Sequence, residues 1–266
     1  MLAGGDGWRP IAGGTDLMVQ ITGELAPPPE RVLDLWHLDE LRGIAIEDGT
    51  LSLGALTTYT DIRRSNLCQE HLPALVAAAA TIGAAQIQNR GTLGGNIVNA
   101  SPAGDMLPIM LAADAQLVLS ATGGERVVEA RDFWTGYRQT ARRTDELLSR
   151  VRIPLPPGRH LRFRKIGTRR AQAISKVVMA LAWREDGGVW RDARLALGSV
   201  APTPIRAVRT ESVLEGAAPR QATADHAAAT LADEIQPIDD VRSTADYRRV
   251  VAARVLHRLL RDAGGW

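Results

Sequence analysis

A single cysteine, Cys68, stands in 266 residues. One thiol can form neither an internal disulfide nor a Cys-based iron–sulfur or zinc site within the chain, so any iron–sulfur chemistry has to come from a partner. Its own role reads as that of a small buried hydrophobe. Lysine is nearly absent too: Lys165 and Lys176 are the only two, and arginine carries the rest of the positive charge. The high pKa of arginine reconciles a formal net charge of +2 with a pI of about 9.0. Because the arginines are interspersed with acids and lack interleaved aromatics, nucleic-acid binding is not expected. No apolar run reaches the length of a membrane span, and the N-terminus lacks the charged-then-apolar pattern of a signal peptide, which predicts a cytoplasmic chain. His37, His71, His160, His226 and His257 show no metal-ligand spacing. Asn99, Ala100 and Ser101 form a glycosylation triplet that Pro102 and the cytoplasmic reading leave idle.

What is present is a 45% hydrophobic chain long enough for one or two domains. "RVLDLW" reads as a strand, and "IAIEDGTLSLGA" alternates across an Asp48-Gly49 turn. Two helices are expected next, one opened by the hydroxyls of "TTYTDIRRS" and one formed by "LPALVAAAATIG". Beyond Asp105, "MLPIMLAADA" predicts a helix, "QLVLSATGGERVVEA" a hairpin and "ELLSRVRIP" a strand. Pro154, Pro156, Pro157 and Gly158 mark a boundary. After it, "LRFRKIG", "KVVMALAWRED" and "VWRDARLALGSVA" predict an antiparallel meander turning at Gly187 and Gly188, followed by helices near 207–214, 222–234 and 245–261. The expected class is α+β in two parts.

Two glycine-rich stretches stand out: "RPIAGGTDLMVQ" from Arg9 and "RGTLGGNIVNASPAGD" from Arg90. Each can form a tight turn whose backbone N–H groups converge on one point, since glycine tolerates unusual dihedrals and leaves room for a close ligand. Convergent donors favour phosphate oxygens, and two such turns face to face could hold a pyrophosphate. Neither stretch matches G-x-G-x-x-G or G-x-x-x-x-G-K-[ST], so a Rossmann or P-loop assignment lacks support, and a structural turn remains the competing explanation for either loop alone.

"IAGGTDL" followed by "TIGAAQIQNRGTLGGNIVNASPAGD" resembles the paired FAD motifs of the flavoprotein subunit of molybdenum hydroxylases, the xanthine dehydrogenase and carbon monoxide dehydrogenase family. "FRKIGTRRAQAIS" and "LALGSVAPTPIRA" resemble that family's C-terminal domain, so the similarity spans nearly the whole chain. It implies a two-part FAD-binding domain of the PCMH or vanillyl-alcohol-oxidase kind over residues 1–157, with subdomains 1–55 and 56–157. A smaller α+β domain with an antiparallel sheet and helices follows over 158–266. By the same resemblance Ala12, Gly13, Gly14, Thr15 and Asp16, flanked by Ile11 and Leu17, form one pyrophosphate loop. Thr92, Gly94, Gly95 and Asn96, with Val98 nearby, form the other. Asp105 would accept from the adenosine ribose, Ile82 and Gly83 would lie near the flavin, Leu148 would touch it and Lys165 would sit close to it. Trp134 and Tyr137 are expected as packing residues, with an approach of one of them to the flavin left open.

The implied function is electron transfer with non-covalent FAD and no acid, base or nucleophile from this chain. A small partner subunit with two [2Fe-2S] clusters and a large molybdopterin subunit, in a dimer of heterotrimers, would feed FAD. The acceptor would be NAD+, a quinone, oxygen or another acceptor. The alternatives are a stand-alone flavin oxidase, which would need its own substrate pocket, and a cofactor-free assembly protein. The resemblance also implies an additional strand and helix of about two dozen residues ahead of "AGGTDL". Only "MLAGGDGW" precedes "RPIAGGTDL" here. Either the start is assigned too far downstream or this is a shortened member, and in the second case weaker flavin retention than in an N-terminally extended chain is expected.

Overall fold

The computed structural model describes residues 1–5, 7–25, 27–169 and 172–266. Arg170 and Ala171 of the "FRKIGTRRAQAIS" stretch therefore lie outside the described residues. The chain opens with β1 (Arg9–Ile11), α1 (Leu17–Thr22) and β2 (Val32–Asp34), in which β1 and β2 pair in parallel. A parallel pair needs a crossover, and α1 with its flanking turns supplies it. The hairpin β3 (Ile44–Glu47) and β4 (Thr50–Gly54) turns at Asp48 and Gly49, both at positive φ.

Four short helices follow where two were expected: α2 (Tyr59–Arg64), α3 (Asn66–His71), α4 (Pro73–Thr81) and α5 (Ala85–Arg90). Each break has a local cause. Thr58 opens α2 with a full capping box to Asp61, and Ser65 caps α3 by accepting from the Cys68 N–H. Pro73 restricts Leu72 and restarts the chain as α4, and Gly83 at φ 54° turns it into α5. Then come α6 (Leu93–Asn99), α7 (Leu107–Ala112), β5 (Gln116–Ala121), β6 (Gly124–Glu129), β7 (Trp134–Gly136), β8 (Gln139–Thr140) and β9 (Leu147–Pro154).

The main sheet of this half is antiparallel, in the order β3-β4-β9-β5-β6. Its register corrects the subdomain division near residue 55. Leu51 and Leu53 of β4 pair with Ile153 and Val151 of β9 and are fully buried in the core shared with α4, α6 and α7. The β3–β4 hairpin thus belongs with the second subdomain, and the N-terminal lobe ends before Ile44. That lobe is held by a minor cluster of Leu35, Leu41 and Leu56, with Ala12 and Leu33 against it.

Beyond the proline-rich linker, β10 (His160–Ile166), β11 (Val177–Asp186), β12 (Val189–Gly198) and β13 (Ile205–Arg206) form the expected antiparallel sheet. It is backed by α8 (Val208–Leu214), α9 (Gln221–Glu234) and α10 (Ala245–Gly264). Alternate residues of β11 point to opposite faces. Val177, Met179, Leu181 and Trp183 pack under α8–α10, while Val178, Ala180 and Ala182 join the core of the first half. Small side chains on one face let α7 lie close against β11 and β12. The two halves share one continuous apolar seam. Charge lines its rim: Asp114 meets Arg159, Arg194 and Arg206 at 3.4, 2.8 and 3.6 Å, and Asp192 meets Arg159 at 3.0 Å.

A buried carboxylate at the start of β9 gives a pH prediction. Glu146 accepts from Arg126 Nε and Nη2 at 2.6 and 2.9 Å and from the Arg143 N–H at 2.7 Å. The Arg126 hydrogen bonds, first among the causes, lower its carboxyl from 4.5 to about 2. A depressed acid stabilises the fold above its unfolded value and loses that contribution as pH falls through its folded one. Arg126 is about a third exposed, so screening reduces the gain to on the order of 2 kcal/mol. In urea unfolding between pH 7 and pH 2.5, Glu146→Gln should flatten the acid limb by about that amount; a limb unchanged from the parent would refute the assignment.

Candidate functional site

The first glycine loop leaves β1 at Ile11 and enters α1 at Leu17. Gly14 takes φ 75°, and the Gly14 carbonyl accepts from the Met18 N–H at 2.9 Å, so the turn is tight and closed on one side. The backbone N–H groups of Gly13, Gly14, Thr15 and Asp16 make no hydrogen bond among the described residues. Consecutive unpaired donors on a glycine turn form an anion-binding concavity.

The second loop is arranged differently from the sequence expectation. Thr92 caps α6 by accepting from the Gly95 N–H at 3.0 Å, the Leu93 N–H donates to the Thr57 carbonyl at 2.9 Å, and the Gly94 N–H donates to the Ala55 carbonyl at 2.9 Å. These amides are already satisfied, so they are not free phosphate donors. Glycine is needed here for close approach: a Cβ on Gly94 would fall 2.7 Å from Ala55 Cβ and its carbonyl oxygen. Gly95 is exposed, and a Cβ there would meet only Thr92 Oγ1, at 2.8 Å. Asn96 Oδ1 is buried with no hydrogen-bond partner among the described residues. An orphan acceptor of this kind calls for a donor from a ligand or water. Tyr59, 4% exposed, accepts a hydrogen bond from the Asn96 side chain, and burial followed by the charge of Asp105 pushes its phenol well above the ordinary value.

The two loops meet directly. A Cβ on Gly13 would sit 1.6 Å from the Arg90 carbonyl oxygen, so the backbone of loop one lies on the residue that precedes loop two. Arg90 also stacks on Trp36, 3.7 Å from the ring centroid, with Arg42 nearby at 4.6 Å. Arg138, at φ 53° in the β7–β8 turn, donates to Asn99 Oδ1 at 2.8 Å and lies 3.9 Å from Asp16 Oδ2, tying the end of α6 to the first loop. Trp134 is a packing residue that donates to the Ile97 carbonyl at 3.1 Å, whereas Tyr137 is exposed.

Asp105 and Lys165 form the other part of the site. Lys165 Nζ lies 2.6 Å from Asp105 Oδ2 and donates to the Thr81 carbonyl at 3.1 Å; Ser175 donates to Asp105 Oδ1. Both charged side chains are 9% exposed. Burial pushes the Asp105 carboxyl up, opposed by Lys165 and Ser175. The sequence expectation put Asp105 at the ribose and Lys165 close to the cofactor; the structure joins the two in one buried ion pair. Ile82 and Gly83 follow Thr81 and so border the same pair. Val98 is partly buried against the main core, and Leu148 is 6% exposed within it, opposite Leu119.

Sequence reasoning missed Tyr59, Trp36, Arg90, Arg138 and Ser175. Arg90 stands beside the second glycine stretch, but its stacking on Trp36 joins residues 54 positions apart, which no local pattern encodes. Cys68 is fully buried as expected, and no group of His, Cys, Asp and Glu among the described residues could hold a metal ion.

Free amides on a glycine turn, an orphan acceptor on the second loop and a buried ion pair between the two halves are the features of a two-domain protein with an anion-binding turn. Residues 1–156 match the family described as the FAD binding domain in molybdopterin dehydrogenase, and residues 162–263 match the CO dehydrogenase flavoprotein C-terminal domain. The chain belongs to this FAD-binding family of the molybdopterin dehydrogenases. It is 35% identical to the carbon monoxide dehydrogenase medium chain of Afipia carboxidovorans, covering 97% of this chain and 90% of that one. It is 33% identical to the xanthine dehydrogenase FAD-binding subunit of Escherichia coli O157:H7 (96% and 89%). Among solved structures it is similar to carbon monoxide dehydrogenase from Hydrogenophaga pseudoflava lacking the Mo-pyranopterin moiety, with a TM-score of 0.92 at 32% identity over 97% and 90% of the chains. Quinoline 2-oxidoreductase from Pseudomonas putida 86 gives a TM-score of 0.93 at 30% identity over 99% and 92%. No helix among the described residues is long and apolar enough to cross a membrane.

Proposed function

We propose that this chain is the FAD-carrying medium subunit of a molybdenum hydroxylase complex, an oxidoreductase component that receives electrons from [2Fe-2S] clusters of a small partner subunit. It hands them on to NAD+, a quinone, oxygen or another acceptor, while a large molybdopterin subunit oxidises the substrate. The observation that carries this reading is the apposition of the two glycine loops, with four consecutive free amides on the first and the orphan Asn96 Oδ1 near the second. The single cysteine supports partners for the iron–sulfur step, because a cluster needs four protein ligands. Among the relatives, the protein from Afipia is named as a medium chain and that from Escherichia coli as an FAD-binding subunit.

The residues present fit FAD. The amides of Gly13, Gly14, Thr15 and Asp16 would hold the pyrophosphate, with Ile11, Ala12 and Leu17 shaping their turn and Thr92, Gly94, Gly95 and Asn96 with Val98 forming the second loop. Lys165, held by Asp105 and the Thr81 carbonyl, keeps a fixed positive charge beside Ile82 and Gly83, where it would face the flavin. Leu148 contributes apolar backing. When bound, FAD supplies the interchange between one-electron donors and a two-electron acceptor. No residue of this chain moves a proton in that scheme, which is why the site needs no acid–base constellation.

The test is the visible absorption spectrum of the purified chain with and without added FAD, followed by chromatography of what denaturation releases. About one FAD per chain, with co-purifying iron–sulfur and molybdenum partners, is the expected result. A chain that binds no FAD even when supplied would leave only an assembly role.

A further inference from the structure

We infer that the outer edge of β10 is a docking groove for an extended, carboxylate-bearing segment of another chain, which adds to the C-terminal sheet opposite Arg162. The inference rests on the subunit reading above and concerns a surface apart from the glycine loops. β10 is a terminal strand of its four-stranded sheet and pairs only with β11. Among the described residues its backbone groups bond only toward β11, the Lys176 N–H just ahead of β11 continuing that inner ladder by donating to the Ile166 carbonyl at 2.7 Å. Its outward N–H and C=O groups have no backbone partner among the described residues and form an unpaired ladder, the template used in strand addition.

A groove of about 590 Å³ runs beside this edge, bounded by His71 and Pro73 at the α3–α4 corner, by Leu155 and Pro156 of the linker and by β10 itself. At about 3.3 Å per residue, His160 to Arg164 offer a template about 15 Å long, enough for an extended tetra- or pentapeptide. Charge selects the occupant. Arg159, Arg162 and Arg164 line the groove against one acid, Glu70. Arg159 is already met by Asp114 and Asp192, and Arg164 lies 3.8 Å from Asp262 on α10. Arg162 is exposed, and its guanidinium has no hydrogen bond or ion pair among the described residues. An unneutralised guanidinium on a free edge discourages self-association of the isolated chain, and a strand with an Asp or Glu opposite it converts that repulsion into a pairing rule. The opposite face of β10 is committed to the interior, with Phe163 in the core and Lys165 on Asp105, so docking at the edge leaves the flavin end intact.

Amide hydrogen exchange at residues 160–166 of the FAD-loaded chain, alone and in the complex purified with its partner subunits, tests this. Exchange at the outward amides should slow at least about tenfold in the complex. Arg162→Glu should weaken assembly by about tenfold or more, with FAD content unchanged. A complex in which β10 exchanges as in the free chain, or an Arg162→Glu variant that assembles like the parent, overturns the inference while leaving the FAD reading standing. Equal protection of β10 by inorganic pyrophosphate alone would overturn it in favour of a small-anion site. An FAD-loaded chain that co-purifies with no other chain would overturn both the inference and the subunit reading.

Discussion

Gly13→Ala should lower FAD affinity by about a hundredfold, a loss of about 3 kcal/mol. The reason is contact between loops, since Gly13 is not at positive φ. An added Cβ would lie 1.6 Å from the Arg90 carbonyl oxygen and 2.4 Å from its carbon, both backbone atoms. Backbone cannot swing aside as a side chain can, so the N-terminal lobe must move by an ångström or more. The free amides of Gly13 to Asp16 move with it, away from Asn96 and Gly95. The lobe is held by the minor Leu35, Leu41 and Leu56 cluster and the Trp36 stack, so it should lift while the main core stays folded. Flavin fluorescence titration reads the affinity, and urea unfolding followed by tryptophan fluorescence reads the core. Gly14→Ala, at φ 75°, should cost only about 1–2 kcal/mol of local strain, and Gly123→Ala, with open space around it, should be silent. If Gly13→Ala bound FAD as Gly123→Ala does, the loop contact would not set the site.

Lys165→Met should destabilise the chain by about 3–5 kcal/mol near neutral pH. The substitution preserves the apolar stem and deletes the charge that faces Asp105, a carboxylate 7% exposed. Burial already raises this carboxyl, and without Lys165 only the Ser175 hydrogen bond opposes the rise. A group whose folded pKa lies above its unfolded value favours the fold below the unfolded value and loses that contribution as pH rises through the folded one. The variant should therefore recover stability on acidification, as the carboxyl takes up a proton, and Asp105→Asn in the same chain should restore much of the loss. FAD affinity of that double variant separates the roles: weaker flavin binding in a stable protein assigns Lys165 to the cofactor. A loss below about 1 kcal/mol that is flat with pH would mean the pair is solvated and structurally idle.

The contrast between these two sites reflects how each was encoded. Gly13, Gly14, Gly94 and Gly95 are conspicuous as residues, yet the physical work of each differs. Gly14 supplies a left-handed turn, whereas Gly13 and Gly94 admit a neighbouring backbone or Ala55. A one-dimensional pattern cannot separate conformational need from close approach, and for that reason the free donors were expected on both loops when only the first has them. The helical region shows a similar limit. Capping residues Thr58 and Ser65 and the restart at Pro73 are local signals, but their combined effect, four short helices wrapping one core, depends on where Leu75, Ala78 and Ala79 find partners.

Composition and local pattern were enough to determine several things about this protein: the lack of a cysteine ligand set, the α+β alternation, the meander and three helices of the second half, and the two glycine stretches that carry the family resemblance. These follow from short-range chemistry, in which side-chain period, turn residues and thiol count act within a few positions of one another. Tertiary structure alone decided that the β3–β4 hairpin belongs to the second subdomain, that Arg90 lies against Gly13 and on Trp36, and that Asp105 and Lys165, 60 residues apart, neutralise each other. Each of those facts is a contact between distant segments, fixed by which apolar faces bury together and by the requirement that a charge removed from water meet its opposite.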